Sequence, residues 1–275
     1  MLLFTCFSAL QTAQAQFDDP FQLAGDADTE KSILSGGFTL FDLRHPNDLS
    51  DLPYRFNNAL YTFRLSSGNQ AGITFRYGTD NVSFRADNPP AGVPLDADVR
   101  VINAAAELGG RGALYRGTGD SETLIYVPVR VFADYFNVKK DFGDVTLPAD
   151  TNFPVLNSLM LTGGLGLGFR YRTSRGSLVS NRIMIDAYAT RSLGTNVQVE
   201  EEIFSGAARQ DNLKAQLTFL DLFGGFSFVL GYEFRNAVFR QDGFHEFFSM
   251  LTEDSGYDSE YYAHTITLGI RLDRR

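Results

Sequence analysis

The stretch VLNSLMLTGGLGLGFRY, Val155 to Tyr171, decides how this chain is read. Taken at every second residue it gives Val155, Leu159, Leu161, Gly163, Leu165, Leu167, Phe169 and Tyr171, with Asn157 alone out of pattern. The intervening positions hold Ser158, Thr162, Gly164, Gly166, Gly168 and Arg170, and Arg172 continues them. A strand sends successive side chains to opposite faces, so one face of this segment is oily and the other carries glycine, hydroxyls and arginine.

Two sheet architectures fit such a strand. In a soluble sandwich the oily face is the core and the polar face meets water. In a membrane-spanning barrel the oily face meets lipid and the polar face lines the lumen. Gly163 to Gly168 does not read as a phosphate loop, because it lies within a strand and no Lys-Ser/Thr follows it. Its inward glycines are expected to make room for bulky neighbours such as Tyr126 or Tyr188.

The alternation recurs along the chain. Ile125, Val127, Val129, Val131, Ala133 and Tyr135 alternate with Tyr126, Pro128, Arg130, Phe132 and Asp134. Ile183 to Ala189 alternate with Met184, Asp186 and Tyr188, and Leu213 to Phe219 alternate with Lys214, Gln216 and Thr218. Phe226 to Phe234 and Tyr262 to Leu272 repeat the pattern, as do Tyr61 to Leu65 and Ile73 to Tyr77. Helical periodicity is nearly absent.

Tight connections rich in turn-forming residues are expected at Ser66–Asn69, Gly117–Asp120, Thr173–Gly176 and Leu222–Gly225. Longer polar loops are expected at His45–Phe56, Ala86–Ala97, Lys139–Pro154, Leu193–Gln210 and Arg240–Ser259. Short turns at one end and long loops at the other point to an all-β, antiparallel, up-and-down transmembrane β-barrel of about ten strands, with eight to twelve allowed. A first strand is expected from Gly36 to Arg44, and Gly78-Thr79-Asp80 reads as either a bulge or a further hairpin. Several strands exceed the roughly 9–11 residues that cross hydrocarbon, so the wall is expected to stand clear of the membrane on its outer side.

With these features the chain resembles a bacterial outer-membrane β-barrel protein of the small, single-chain, porin-like type. The resemblance is one of architecture, from Gly36 to the C-terminus. The segment His264 to Leu272 is similar to the terminal strand that the barrel-assembly machinery reads, although Asp273-Arg274-Arg275 stands where a terminal aromatic is usual. The resemblance implies outer-membrane lipid and that machinery as partners and the bacterial outer membrane as location. It further implies a passive structural role or a narrow channel.

Composition agrees with this reading. The chain has 275 residues, 25 Phe, 12 Tyr and 26 Gly, no Trp and a net charge of −9. Nothing in it reads as a linker, and no nucleic-acid partner is expected. Residues 1–15 read as the remnant of a secretory signal, an apolar run closed by Ala13-Gln14-Ala15. No Lys or Arg precedes Lys31, so the true start is expected upstream. Residues 16–35 read as an acidic periplasmic lead-in with a short helix around Thr29 to Leu34, and residues 36–275 as the barrel. The single cysteine, Cys6, falls in the signal, which leaves no thiol for metal or catalysis in the remainder.

Charge is divided between the two ends of this picture. The side chains expected inside include Arg64, Arg76, Arg130, Arg170, Arg172, Arg182, Lys214, Arg235 and Arg271, against Asp134, Asp186 and Glu233. Acid collects instead in the loops, at Glu200-Glu201-Glu202 and from Glu253 to Glu260. The inward charges have two readings. They can fill a small lumen as mutually satisfied pairs, with Arg130 and Asp134 the expected pair. Alternatively their cationic excess can line a narrow pore or cleft for small anionic solutes. The solute-binding candidates are Arg64, Arg76, Arg130, Asp134, Arg182, Asp186, Lys214, Glu233 and Arg235.

Catalysis, cofactor and metal are not expected. Among three histidines, His45 starts an outer loop, His245 neighbours Glu246 and Ser249, and His264 faces outward on the last strand. Enzymes among outer-membrane barrels, such as omptin proteases and phospholipases, need a histidine beside a carboxylate or serine at the rim, and no matching signature occurs. The loop Phe244 to Leu251 is unusually apolar, and Phe244, His245, Phe247 and Phe248 are the candidates for docking a surface protein partner.

Overall fold

The computed structural model describes ten strands and the residues within them. They are β1 (Ser32–His45), β2 (Tyr54–Ser67), β3 (Ala71–Ser83), β4 (Asp96–Gly117), β5 (Ser121–Asp141), β6 (Asn157–Thr173), β7 (Arg182–Glu200), β8 (Glu202–Leu222), β9 (Phe226–Phe239) and β10 (Ser259–Leu272). Each pairs antiparallel with its sequence neighbours, and β1 pairs with β10 to close an up-and-down barrel. Closure satisfies every strand's ladder and leaves no edge for further pairing. The expected all-β antiparallel barrel of about ten strands is the fold observed.

The closing seam is as regular as the rest. Thirteen β1 residues, Ser32 to Arg44, find partners on β10 from Leu272 to Glu260. β1 opens at Ser32, ahead of the expected Gly36, and takes in residues 32–34 of the expected helix. Those residues already alternate: Ile33 and Ser35 are buried inward while Leu34 is exposed outward. β3 runs straight through Gly78-Thr79-Asp80, paired to Val101-Arg100-Val99, with neither a bulge nor a hairpin there. The expected long loop from Leu193 to Gln210 is instead paired strand, because β7 continues to Glu200 and meets β8 again at Glu202.

The pleat sorts the chain as the sequence pattern requires. Large apolar side chains exposed on the outside come from all ten strands, among them Phe38, Tyr61, Phe75, Leu108, Val129, Leu165, Ile185, Leu213, Leu230 and Leu268. Through the register Tyr232, Ile266, Phe38, Tyr61 and Tyr77 form one continuous outer row across β9, β10, β1, β2 and β3. Phe38 and Tyr61 touch within it, with ring centroids 5.5 Å apart.

The interior is layered. Toward the long-loop end lies an apolar layer that includes Phe41, Leu43, Leu60, Val101, Phe136, Met160 and Tyr261. The Phe136 and Tyr261 rings meet at a tilt with centroids 4.7 Å apart there, and Phe41 meets Tyr261 at 5.5 Å. A smaller group, Leu124, Tyr126 and Tyr188, lies toward the tight-turn end. The charged side chains occupy the space between. Gly168 is one place where this packing demands glycine. It is paired to Tyr126, and a Cβ on it would sit 2.3 Å from the Tyr126 ring.

Candidate functional site

The middle of the lumen holds a cross-linked ionic network. The carboxylate of Glu107, from β4, sits near its centre. One oxygen accepts from Arg64 Nη2 at 2.9 Å and Lys214 Nζ at 3.3 Å. The other accepts the Tyr188 hydroxyl and lies 3.4 Å from Arg130 Nε. Arg130 stretches over Gly109 and places its guanidinium 4.8 Å from the Tyr188 ring centroid.

Glu233, from β9, is the second hub. Arg64 Nη1 donates to it at 2.6 Å and Arg235 Nη2 at 2.6 Å, while Arg76 Nη2 lies 3.7 Å away. Arg235 also donates to Asp134 at 2.5 Å. Asp134 accepts from Gln210 at 3.2 Å, and Gln210 in turn accepts from Thr162 at 2.7 Å. On the far side Arg76 donates to Asn103 at 2.6 Å and to Thr39 at 3.2 Å, and Thr39 and Thr265 share a 2.8 Å hydroxyl contact.

Followed end to end, this chain of contacts includes a side chain from each of the ten strands. It ties opposite walls together through charge-assisted bonds, which are roughly twice as strong as neutral ones. A separate pair lies nearer the tight turns. Arg170 donates to Asp186 through Nε at 2.9 Å and Nη2 at 2.6 Å, and the Tyr126 hydroxyl donates to the other Asp186 oxygen at 2.6 Å.

Eight of the nine solute-binding candidates are therefore inside and buried: Arg64, Arg76, Arg130, Asp134, Asp186, Lys214, Glu233 and Arg235. The ninth, Arg182, opens β7, and its side chain lies outside the described residues. Their pairing differs from the expectation. Arg130 goes to Glu107 and Asp134 goes to Arg235, so the supposed Arg130–Asp134 pair is not formed. Arg130 reaches diagonally to Glu107 on the adjacent β4, and Asp134 is taken by Arg235 from β9.

Glu107 was not found in the sequence, and the reason is a bulge. Below it Tyr115 pairs with Ile125, above it Ala113 pairs with Tyr126, so β4 gains one residue and its inward parity switches. Counting back from the turn at Gly117 puts Glu107 outside. The segment Val99 to Ala106 hides the true parity, since apolar residues occupy both of its faces. Asn103 carried the signal that could have corrected this, as the polar residue four positions before Glu107 on the same face.

His264 is exposed on the outer wall, where its Nδ1 lies 3.0 Å from the Tyr232 hydroxyl and its ring 4.8 Å from Phe234. Phe244, His245, Phe247 and Phe248 lie outside the described residues. Among the described residues no group of three or more His, Cys, Asp or Glu is placed to hold a metal ion.

A small, partly open cavity of about 30 Å³ lies beside the network toward the tight-turn end. Arg64, Lys214 and Glu233 reach it from the network, and hydroxyl side chains of β1, β2, β3 and β10 line much of the rest.

No protein-family model matches this chain, and no curated protein matches it. Among solved structures the chain is similar to the outer membrane protease OmpT from Escherichia coli. That similarity has a TM-score of 0.38 at 9% identity, over 89% of this chain and 97% of that one. A likeness of this degree carries no inference about activity.

Proposed function

We propose that this chain is an integral outer-membrane β-barrel whose lumen is braced shut by its own side chains, and that its role is structural. The observation that carries the reading is the inversion of its two faces. The outer wall exposes Phe38 at 58%, Tyr61 at 68%, Leu40 at 62% and Leu165 at 64%. The inside buries Arg76, Arg130, Asp134 and Arg235 at 2% or less. A water-soluble barrel gains stability by the opposite arrangement, since buried apolar area contributes roughly 25 cal/mol per Å². In a bilayer the exposed belt is solvated by acyl chains, and the closed ladder leaves no open sheet edge in hydrocarbon. The ionic layer and the apolar layer are stacked in series along the lumen, and this filling supports a sealed interior.

Reconstitution tests this reading. The chain should require detergent or lipid for solubility, migrate as a heat-modifiable band, and give no conductance steps in a planar bilayer. Stable, detergent-free monomers would overturn the membrane assignment. Regular steps would overturn the sealed lumen.

One observation favours a second reading, a narrow passage for small anions. Among the described residues the lumen buries seven cations (Arg64, Arg76, Arg130, Arg170, Lys214, Arg235 and Arg271) against four carboxylates. Steps with anion preference would select it, and cation preference would eliminate it.

A further inference from the structure

The central network does not balance its own charge. It joins five cations, Arg64, Arg76, Arg130, Lys214 and Arg235, to three carboxylates, Glu107, Asp134 and Glu233. All eight are more than nine-tenths buried. Two positive charges are left over in a place where an uncompensated charge costs several kcal/mol. The hydrogen bonding is short on the same side. Arg76 Nη2, Arg130 Nε and Nη1, and Arg235 Nε are buried donors with no acceptor in hydrogen-bond geometry. Buried donors in this number call for an ion or another acceptor.

Those guanidinium groups do not line the cavity beside the network, but two other cations of the same surplus do. The Lys214 ammonium, which uses one of its donors on Glu107, and the Arg64 guanidinium form its charged end. Ser66, Thr74, Thr265 and Thr267 add hydroxyls that can rotate to donate. Glu233 also borders the cavity, but both of its oxygens are already held by guanidinium groups, Oε2 by Arg64 and Oε1 by Arg235.

We propose that this cavity is a binding site for a small oxyanion of the phosphate class, seated on Lys214 and Arg64 and ringed by hydroxyls. A doubly charged oxyanion seated there offsets the network's surplus and offers acceptor oxygens to Lys214, Arg64 and the hydroxyls around them. The site concerns the lumen alone and goes beyond the structural role proposed above. It is measured in detergent micelles, with no bilayer, so its failure is separate from a failure of the sealed-barrel reading.

The test is a calorimetric titration of the full chain with inorganic phosphate, at ionic strength held constant with chloride. Saturable binding is expected, with a rise in the unfolding temperature. Lys214→Gln should weaken it about tenfold or more, the effect of one charge-assisted hydrogen bond. Thr267→Val keeps every charge and guards against a Lys214 variant that fails to fold; it should weaken binding by about threefold to tenfold. A second arm adds short-chain phosphatidic acid: displacement of phosphate assigns the site to a lipid headgroup, and no displacement assigns it to the free ion. Absence of saturable phosphate binding overturns the proposal, and so does binding that both variants leave unchanged.

Discussion

The lumen is filled twice, by different physics. Near the long loops Phe41, Leu60, Phe136, Met160 and Tyr261 pack an apolar layer. Next to it Glu107, Glu233, Asp134 and their cations make an ionic one. The apolar layer is held by contact area, which does not depend on direction and allows neighbours to shift. The ionic layer is held by directional bonds between charged groups, and Glu107 and Glu233 each serve three cations at once. Removing one partner leaves the others charged and buried. Two layers of similar position should therefore differ sharply in how they tolerate near-isosteric change.

The contrast would break first at Glu233→Gln. This swap keeps shape and removes the counter-charge of Arg64, Arg76 and Arg235 together. A loss of about 3–5 kcal/mol is expected, read as a lower urea midpoint for unfolding from lipid vesicles. A midpoint within error of the parent would mean that the brace does not hold the barrel. Next in size is Tyr188→Phe, which deletes only the hydroxyl that donates to Glu107. It should cost about 1.5–3 kcal/mol, the range for a hydrogen bond to a charged group. Smallest is Phe41→Leu in the apolar layer, where a loss of about 1 kcal/mol is expected because the neighbours can close in. If Phe41→Leu proved costlier than Glu233→Gln, the roles of the two layers would be reversed.

Much of this was visible in the one-dimensional pattern. The period of two in Leu159 to Tyr171 and in Phe226 to Phe234 put Leu165, Phe169 and Phe228 outside and Arg170, Glu233 and Arg235 inside, and the structure has them there. The fold class and the strand number followed from the spacing of turns. What escaped was local or long-range. One extra residue near Leu114 inverted the parity of β4 and concealed Glu107. The polar residues from Thr195 to Ser205 read as a loop but are paired as strand, since ladder pairing with β8 and β7 outweighs local preference.

Outside β4, sequence alone determined the face of the patterned side chains, because a strand's pleat allows only two and the oily set is distinct. Only the closed barrel decided who meets whom. Arg64 and Glu107 are 43 residues apart, and Arg64 and Glu233 are 169 apart. Their meeting depends on strand register, the bulge in β4 and the seam between β1 and β10, which act together once the sheet curls and sets opposite walls within reach of one guanidinium.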